Sequence, residues 1–419
     1  MDLNLIHINE LVSCQTPGFE GPLPPSRMNE IVILQDAYLR IRDGAVLDFG
    51  SMDSYDLPED GIPQQDLSGC TVTPGLVDPH THLVFAGSRE HELVERIERK
   101  RNLSKGQRMS GGINYTVGLT REAPPEVLLA LALQRLDRML AHGTTTAEAK
   151  SGYGLDLASE LKLLEVIRQA DARHPIDLVP TFLGAHAVPA GQSMEAYVAE
   201  VLAMIPQVAQ RGLAEFCDVF CEEGFFSVED SRRILKLAHS HGLRLKVHAD
   251  ELAASGGAAL AAELGAVSAD HLQFAPRSSL EAMKAAGTLP VLLPGTAFYL
   301  GLPYADTTTM RDLDLAMAIS TDLNPGGCYC ESQLFMIVLA CTQMQMLPIE
   351  ALVGATRNAA WAIDRGQQAG TIAPGRPADL LVLHAPNHAY LPYHFGVNLV
   401  RQVYKQGRAC LADAPVLSL

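Results

Sequence analysis

Between residues 71 and 370 the sequence alternates short apolar runs with longer stretches of helical period, and this alternation narrows the possible folds more than any other feature. The apolar runs fall at 71–77, 144–149, 178–183, 216–220, 244–247, 266–269, 289–293 and 315–320. Helical patterns lie between many of them, at 125–141, 158–172, 194–211, 228–240, 258–264 and 280–286. Strands that alternate with helices imply parallel pairing with helical crossovers. Eight such runs predict a closed (β/α)8 barrel of the TIM type, with an open α/β sheet as the alternative. In either fold chemistry gathers at the C-terminal ends of strands, so every polar residue there becomes a candidate.

The chain ends have a different texture. Residues 1–70 and 371–419 contain short β-type runs punctuated by turn residues, such as Ile31-Val-Ile-Leu34 near Asp43-Gly44, and Leu380-Leu-Val-Leu383. They predict one small β-sandwich-like domain built from both ends, with the barrel, 71–370, inserted between them. The sum of 32 Lys+Arg and 48 Asp+Glu gives a net charge of −16. Such a chain has no diffuse positive field for nucleic acid or an anionic membrane. An anionic ligand would need a local cation, from an Arg, a metal or a helix N-terminus. The eight cysteines are scattered, which suits a reducing cytoplasm, and neither Cys217/Cys221 nor Cys328/Cys330 has a partner pair at zinc-finger spacing. Residues 1–10 are acidic where an export signal would be basic and then apolar. The longest apolar runs, such as 334–341, fall short of the roughly 20 residues a membrane span needs.

The strongest chemical signal is Asp78-Pro-His-Thr-His82 at the end of the first run. Two residues apart on an extended segment, His80 and His82 point to the same side and can grip one ion. Taken alone, the pair could be two surface histidines at a strand end. The other strand ends shift the balance: the fifth run leads into His248 and Glu251, the sixth into His271, and the eighth into Asp322. With His186 after the third, five of the chain's 14 histidines sit at such ends. Several histidines and one aspartate from separate strands point to a metal site, because imidazole and carboxylate suit Zn or Fe(II).

The order His-x-His, His, His, Asp along a barrel flanked by β segments resembles the amidohydrolase superfamily. The resemblance extends over nearly the whole chain, through Arg89, Ala149-Lys-Ser-Gly-Tyr-Gly-Leu155, Thr181-Phe-Leu-Gly-Ala-His186, Lys246-Val-His-Ala-Asp-Glu251 and Thr321-Asp-Leu-Asn-Pro-Gly326. It implies metal-dependent hydrolysis of a cyclic amide in a small substrate carrying a carboxylate. The implied ligands are His80, His82, His248 and Asp322, holding one divalent ion per chain, Zn2+ or iron as Fe2+/Fe3+. Many relatives bind a second metal through a carboxylated lysine on the fourth strand, and that strand has no lysine here. Lys150 ends the second strand and is expected to be structural or an outer charge. Asp322, Glu251 and His271 form the catalytic set, and which of them is the principal base stays open. Arg89 would capture the substrate carboxylate, unless it is a loop charge paired with Glu90 or Glu92. Tyr153 and His186 would add hydrogen bonds, and Asn324, Gly326 and Gly327 would bring an amide and bare backbone against the ligand. Ser110-Gly-Gly-Ile113 reads as a mobile loop near the mouth rather than a phosphate loop. An aminohydrolase that releases ammonia and a non-catalytic barrel scaffold are the competing readings. A homodimer is the expected assembly.

Overall fold

The computed structural model describes residues 2–56, 61–101 and 111–411; Ser110 of the glycine-rich segment lies outside the described residues. The N-terminal part supplies β1 (Leu3–Val12), β2 (Ile33–Arg42), β3 (Ala45–Ser51), β4 (Gln64–Asp66) and β5 (Thr71–Pro74). Eight parallel strands follow: β6 (Leu76–Asp78), β7 (Thr144–Lys150), β8 (Asp177–Ala185), β9 (Phe216–Cys221), β10 (Arg244–Ala249), β11 (Ser268–His271), β12 (Leu289–Leu292) and β13 (Ala318–Ile319). The chain then returns through β14 (Leu380–Leu383), β15 (Val400–Lys405) and β16 (Arg408–Ala409) to the first sheet, whose order is β16-β15-β14-β5-β1-β2-β3 with β4 beside β1. Both chain ends thus share one mixed sheet over an apolar core that includes Leu5, Ile8, Leu39, Ile41, Val72 and Leu380.

The run 71–77 is not one strand. Thr71–Pro74 pairs with β1 and β14, whereas Leu76–Asp78 pairs with β7 in the barrel. Gly75 is the step between them, its N–H donating to Asp379 O at 2.9 Å. Its Cα packs so tightly on Thr145 that a side chain has no room there. The eighth run, 315–320, contributes only two residues to the ladder. Side chains complete the seam between first and eighth strands. Asp78 accepts from the Thr321 N–H (3.0 Å) and hydroxyl (2.6 Å) and from the Ser320 hydroxyl, and the Gln333 amide donates to both Val77 O (2.7 Å) and Ile319 O (2.8 Å). Beyond the seam, Asp322 N–H donates to His80 O (3.1 Å) and His82 N–H to Leu323 O (2.9 Å), so the ends that carry the site residues are tied directly together.

Helices cover the barrel: α1 (Glu90–Lys100), α2 (Ile113–Glu122), α3 (Pro125–Ala141), α4 (Leu157–Asp171), α5 (Met194–Gln210), α6 (Val228–Ser240), α7 (Gly257–Glu263), α8 (Arg277–Ala286) and α9 (Pro294–Leu300). Side-chain caps start several of them: Asp156 accepts from Ser159 N–H, Ser193 from Ala196 N–H and Ser227 from Asp230 N–H. Arg89 lies at the end of the expected loop and is followed at once by helix α1. Its charges suit the helix dipole, with Glu90 and Glu92 in the first turn and Arg99 and Lys100 in the last. No helix of the described residues is long and apolar enough to cross a membrane, and all eight cysteines are free thiols.

The tightness at Gly75 predicts that Gly75→Ala costs about 1–3 kcal/mol, the usual range for overpacking a core. Chemical denaturation of the variant should show a lowered midpoint, and Thr145→Ala in the same chain should recover most of it. An unchanged midpoint for Gly75→Ala alone would refute this account of the step.

Candidate active site

The C-terminal ends of the barrel strands converge on a cavity of about 470 Å³ whose wall includes His82, Arg89, His186, His248, His271 and Asp322. Tyr153, Glu251, Asn324, Gly326 and Gly327 border the same space, and His80 lies fully buried behind it. All twelve candidate residues are therefore gathered at one end of the barrel. Two of them sit in a backbone conformation that side chains rarely adopt: φ is +80° at His271 and +53° at Asp322. The left-handed turn takes the chain off the strand immediately and leaves each side chain at the mouth. Such strained positions concentrate at functional sites.

Three imidazoles and one carboxylate form the centre. Asp322 Oδ1 lies 3.5 Å from His80 Nε2 and 3.6 Å from His82 Nε2, and His82 Nε2 lies 3.4 Å from His248 Nε2. Thr296 holds the other oxygen of Asp322 through its hydroxyl. Burial, together with positively charged neighbours, pushes the His80 and His82 pKa values well below the usual imidazole range, so both rings are neutral. His80 Nε2 is buried with no hydrogen-bond partner among the described residues. An orphaned nitrogen beside other nitrogens and a carboxylate oxygen is costly unless a cation completes the set. The donor set therefore fits a divalent metal.

Behind the imidazoles lies a charged layer that no motif revealed. Asp270 Oδ2 sits 2.6 Å from His80 Nδ1, and Asp218 Oδ2 sits 2.9 Å from His248 Nδ1, the latter without a well-aligned hydrogen bond. Both histidines thus direct Nε2 at the metal position, an orientation that outer carboxylates commonly enforce. Lys150 Nζ binds Asp218 (2.7 Å) and Glu148 (2.8 Å), and Lys246 Nζ donates to Pro79 O (2.9 Å) while lying 3.5–3.6 Å from Glu148 and Asp270. Burial opposes a charge on Lys150, but Asp218, Glu148 and Asp270 more than offset it and raise its pKa. Lys150 is accordingly an outer charge, fully buried. These residues interrupt apolar runs, as in Phe216-Cys-Asp-Val-Phe-Cys221, and a charge inside a buried strand was the one available signal.

The remaining candidates line the cavity around this centre. His271 Nε2 is 3.6 Å from Glu251 Oε2. Burial, reinforced by Asp322 and Glu222, pushes the Glu251 carboxyl up to about 8, whereas Asp322 rises to about 6 through burial that Thr296 and His248 partly oppose. Glu222, also unforeseen, accepts the Glu251 and Leu252 N–H groups at 2.8 and 2.9 Å and fixes that turn. His186 donates Nδ1–H to Gly152 O (2.9 Å) and stacks on His82, ring centroids 4.8 Å apart. Tyr153 packs against both rings. Asn324 Oδ1 accepts the N–H groups of Gly326 (2.9 Å) and Gly327 (2.6 Å), so those amides shape their own loop rather than standing free for a ligand. Arg89 is paired with Glu92, as its alternative reading held, but it borders the cavity with only 14% of its side chain exposed.

The fold and this centre define a class. The amidohydrolase family profile matches residues 71–410, and the chain belongs to that family. Curated relatives are more specific: an imidazolonepropionase of Haloarcula marismortui is 47% identical over 92% of each chain, and one of Alkaliphilus metalliredigens is 43% identical over the full length of both. Among solved structures, E. coli guanine deaminase has a TM-score of 0.70 at 14% identity, covering 98% of this chain and 99% of its own. A zinc-bound adenosine deaminase from Xanthomonas campestris has a TM-score of 0.69 at 16% identity, covering 100% of this chain and 94% of its own. At those identities the likeness is one of fold.

If Asp218 orients His248, Asp218→Asn should weaken metal affinity by roughly 10–100-fold, the usual effect of removing an outer partner. Competition with a chromogenic chelator measures it. Wild-type affinity in the variant would remove Asp218 from the site.

Proposed function

We propose that the chain is an imidazolonepropionase, hydrolysing the ring amide of 4-imidazolone-5-propanoate to N-formimidoyl-L-glutamate in histidine degradation. The observation that carries this reading is one cavity holding both the His/Asp centre and an arginine suited to a carboxylate, in a chain 42–47% identical to several proteins of that name. One divalent ion, zinc or iron, would be held by His80, His82, His248 and Asp322. When bound, it supplies Lewis-acid activation of water and of the ring carbonyl.

The protein's own groups divide the remaining work. Arg89 binds the propanoate, and Tyr153 and His186 flank it. Asp322, ionised at neutral pH and more so beside a cation, accepts the proton of the attacking water. Glu251, which burial keeps protonated near neutrality, is the donor to the ring nitrogen as its bond to the carbonyl carbon breaks. His271, held neutral by burial, stabilises the charge that develops on the carbonyl oxygen. Water adds to the carbonyl carbon, the C–N bond opens, and the product gains a carboxylate and an N–H.

Purified protein reconstituted with Zn2+ or Fe2+ is expected to consume imidazolone propanoate without releasing ammonia. Chelation should abolish turnover and the metal restore it, while His271→Ala should keep its metal and lose kcat by about 10²–10⁴-fold. Inactivity of the metal-loaded protein on this substrate overturns the proposal, and ammonia release replaces it with an aminohydrolase. We further propose a cytoplasmic homodimer, in keeping with eight free thiols and the prevalence of twofold assemblies. Light scattering should give twice the chain mass, and a monomer mass would exclude the dimer.

A further inference from the structure

The contacts around Arg89 contain a feature that simple anion capture does not require. A buried carboxylate, Glu92, stands beside the position where the substrate's own carboxylate would bind, and side by side the two repel. Glu92 is 2% exposed, and both its oxygens are engaged. Oε1 accepts from Arg89 Nε (2.7 Å) and from the Gly112 N–H (2.7 Å), and Oε2 accepts from Arg89 Nη2 (2.9 Å). One whole edge of the guanidinium is therefore clamped, leaving Nη1 as the nitrogen that Glu92 does not take. Gly326 supports the opposite side, since a Cβ there would collide with the Arg89 guanidinium.

A second arginine completes the arrangement. Arg96, one turn further along α1, lies 3.7 Å from Glu92, donates to Gly326 O at 3.0 Å and stacks over Tyr299 with 4.8 Å to the ring centroid. Two arginines thus surround one carboxylate, and the group keeps a net positive charge on the cavity wall. Burial alone would raise the Glu92 pKa, yet Arg89 and the Gly112 N–H more than reverse it, so the carboxylate is ionised. Gly111 and Gly112 also acquire a purpose here. A Cβ on Gly111 would press on Glu92 and His91, and Gly111 and Gly112 have φ of +108° and +74°, so glycine lets this segment close onto the carboxylate.

We propose that the anion-recognition unit is the triad Arg89–Glu92–Arg96 rather than Arg89 alone, with Glu92 as a positioning residue that aims the Arg89 fork and Arg96 as the charge that keeps the unit positive. The choice of substrate carboxylate rests on the function proposed above, but the triad itself selects any small carboxylate seated beside the metal centre. Charge and positioning predict opposite signs for one variant. Glu92→Gln removes a negative charge next to an anion, so pure electrostatics would tighten binding; loss of the clamp weakens it.

The test is calorimetric titration of the metal-loaded full chain with 3-(imidazol-4-yl)propanoate and with the corresponding neutral amide. Glu92→Gln should weaken carboxylate binding by about 10-fold or more, the scale of a lost charge-assisted hydrogen bond, while changing amide binding by less than about threefold. Metal content should be unchanged. Arg96→Met, which keeps Glu92 and Arg89, should weaken the carboxylate alone by about three- to tenfold, within the range measured for partly screened charge pairs. Turnover of imidazolone propanoate by the same variants should show the loss in KM with kcat little altered. Unchanged or tighter carboxylate binding by Glu92→Gln overturns the positioning role, as does equal loss for both ligands. Unchanged carboxylate binding by Arg96→Met overturns the triad. A wild-type chain that binds neither ligand also overturns it. If the wild type binds the carboxylate and the variants discriminate as stated, but imidazolone propanoate is not turned over, the triad stands and the proposed reaction falls.

Discussion

Two buried ammonium groups make the interior of this barrel possible. Lys150 and Lys246 are fully buried among Glu148, Asp218 and Asp270, five ionisable side chains in a barrel interior of the kind that branched aliphatic residues usually dominate. Isolated, any one of them would cost several kcal/mol or change its protonation state. Together they leave one negative charge in excess, and that excess faces the imidazoles. Asp270 meets Nδ1 of His80 and Asp218 meets Nδ1 of His248, which leaves the two Nε2 atoms for the centre. A surplus negative charge behind these imidazoles also complements a divalent cation in front of them. The network therefore sets both the orientation of the donors and the sign of the field they stand in.

The seam of the barrel serves the same centre. Its eighth strand is too short to close a ladder by backbone pairing, so Asp78, Ser320, Thr321 and Gln333 supply the missing hydrogen bonds. Asp78 is buried, and that burial raises its pKa to about 6 even though three hydrogen bonds, from the Ser320 hydroxyl and from the Thr321 hydroxyl and N–H, oppose the shift. Closing the seam with side chains frees the backbone just beyond it to turn sharply. Asp322 uses that freedom, with its left-handed φ, while its N–H still anchors on His80 O. Two metal-ligand candidates are thereby fixed relative to each other by one main-chain bond.

Much of the architecture was legible because periodicity reports burial. The helical patterns at 125–141 and 228–240 coincide with α3 and α6, whose buried residues recur at three- and four-residue spacing. Where burial and chain direction part company, periodicity fails. The run 71–77 is apolar throughout because both halves are buried, yet Gly75 divides it between two sheets. Helix α1 was hidden for the opposite reason: its sequence, Glu-His-Glu-Leu-Val-Glu-Arg-Ile-Glu-Arg-Lys, is dominated by charges and reads as a solvated loop. The candidate site was legible wherever a residue type carries its own chemistry at a strand end, as with His80, His82, His248, His271 and Asp322. The residues that support it were not. Asp218, Asp270 and Glu222 matter through partners far away in sequence, and no local spacing encodes a contact between positions 80 and 270. Glu92 was visible only as a surface partner for Arg89, and only the fold reveals that the pair is buried beside the cavity.

That pair bears on how so acidic a chain could hold an anion. With a net charge of −16, the long-range field opposes the approach of a carboxylate. At physiological ionic strength that field decays over about 8 Å, so only charges at the site itself decide binding. A lone surface arginine would be hydrated and mobile, and exposed ion pairs contribute little. Burial changes both conditions. Within the cavity wall the two arginines and Glu92 are screened less, and Gly112, Gly326 and Tyr299 help set their geometry. A carboxylate next to an anion site is unfavourable as a charge and favourable as a clamp. In the proposed triad the clamp dominates, because Arg96 offsets the charge of Glu92 while Glu92 holds one edge of the Arg89 fork in place.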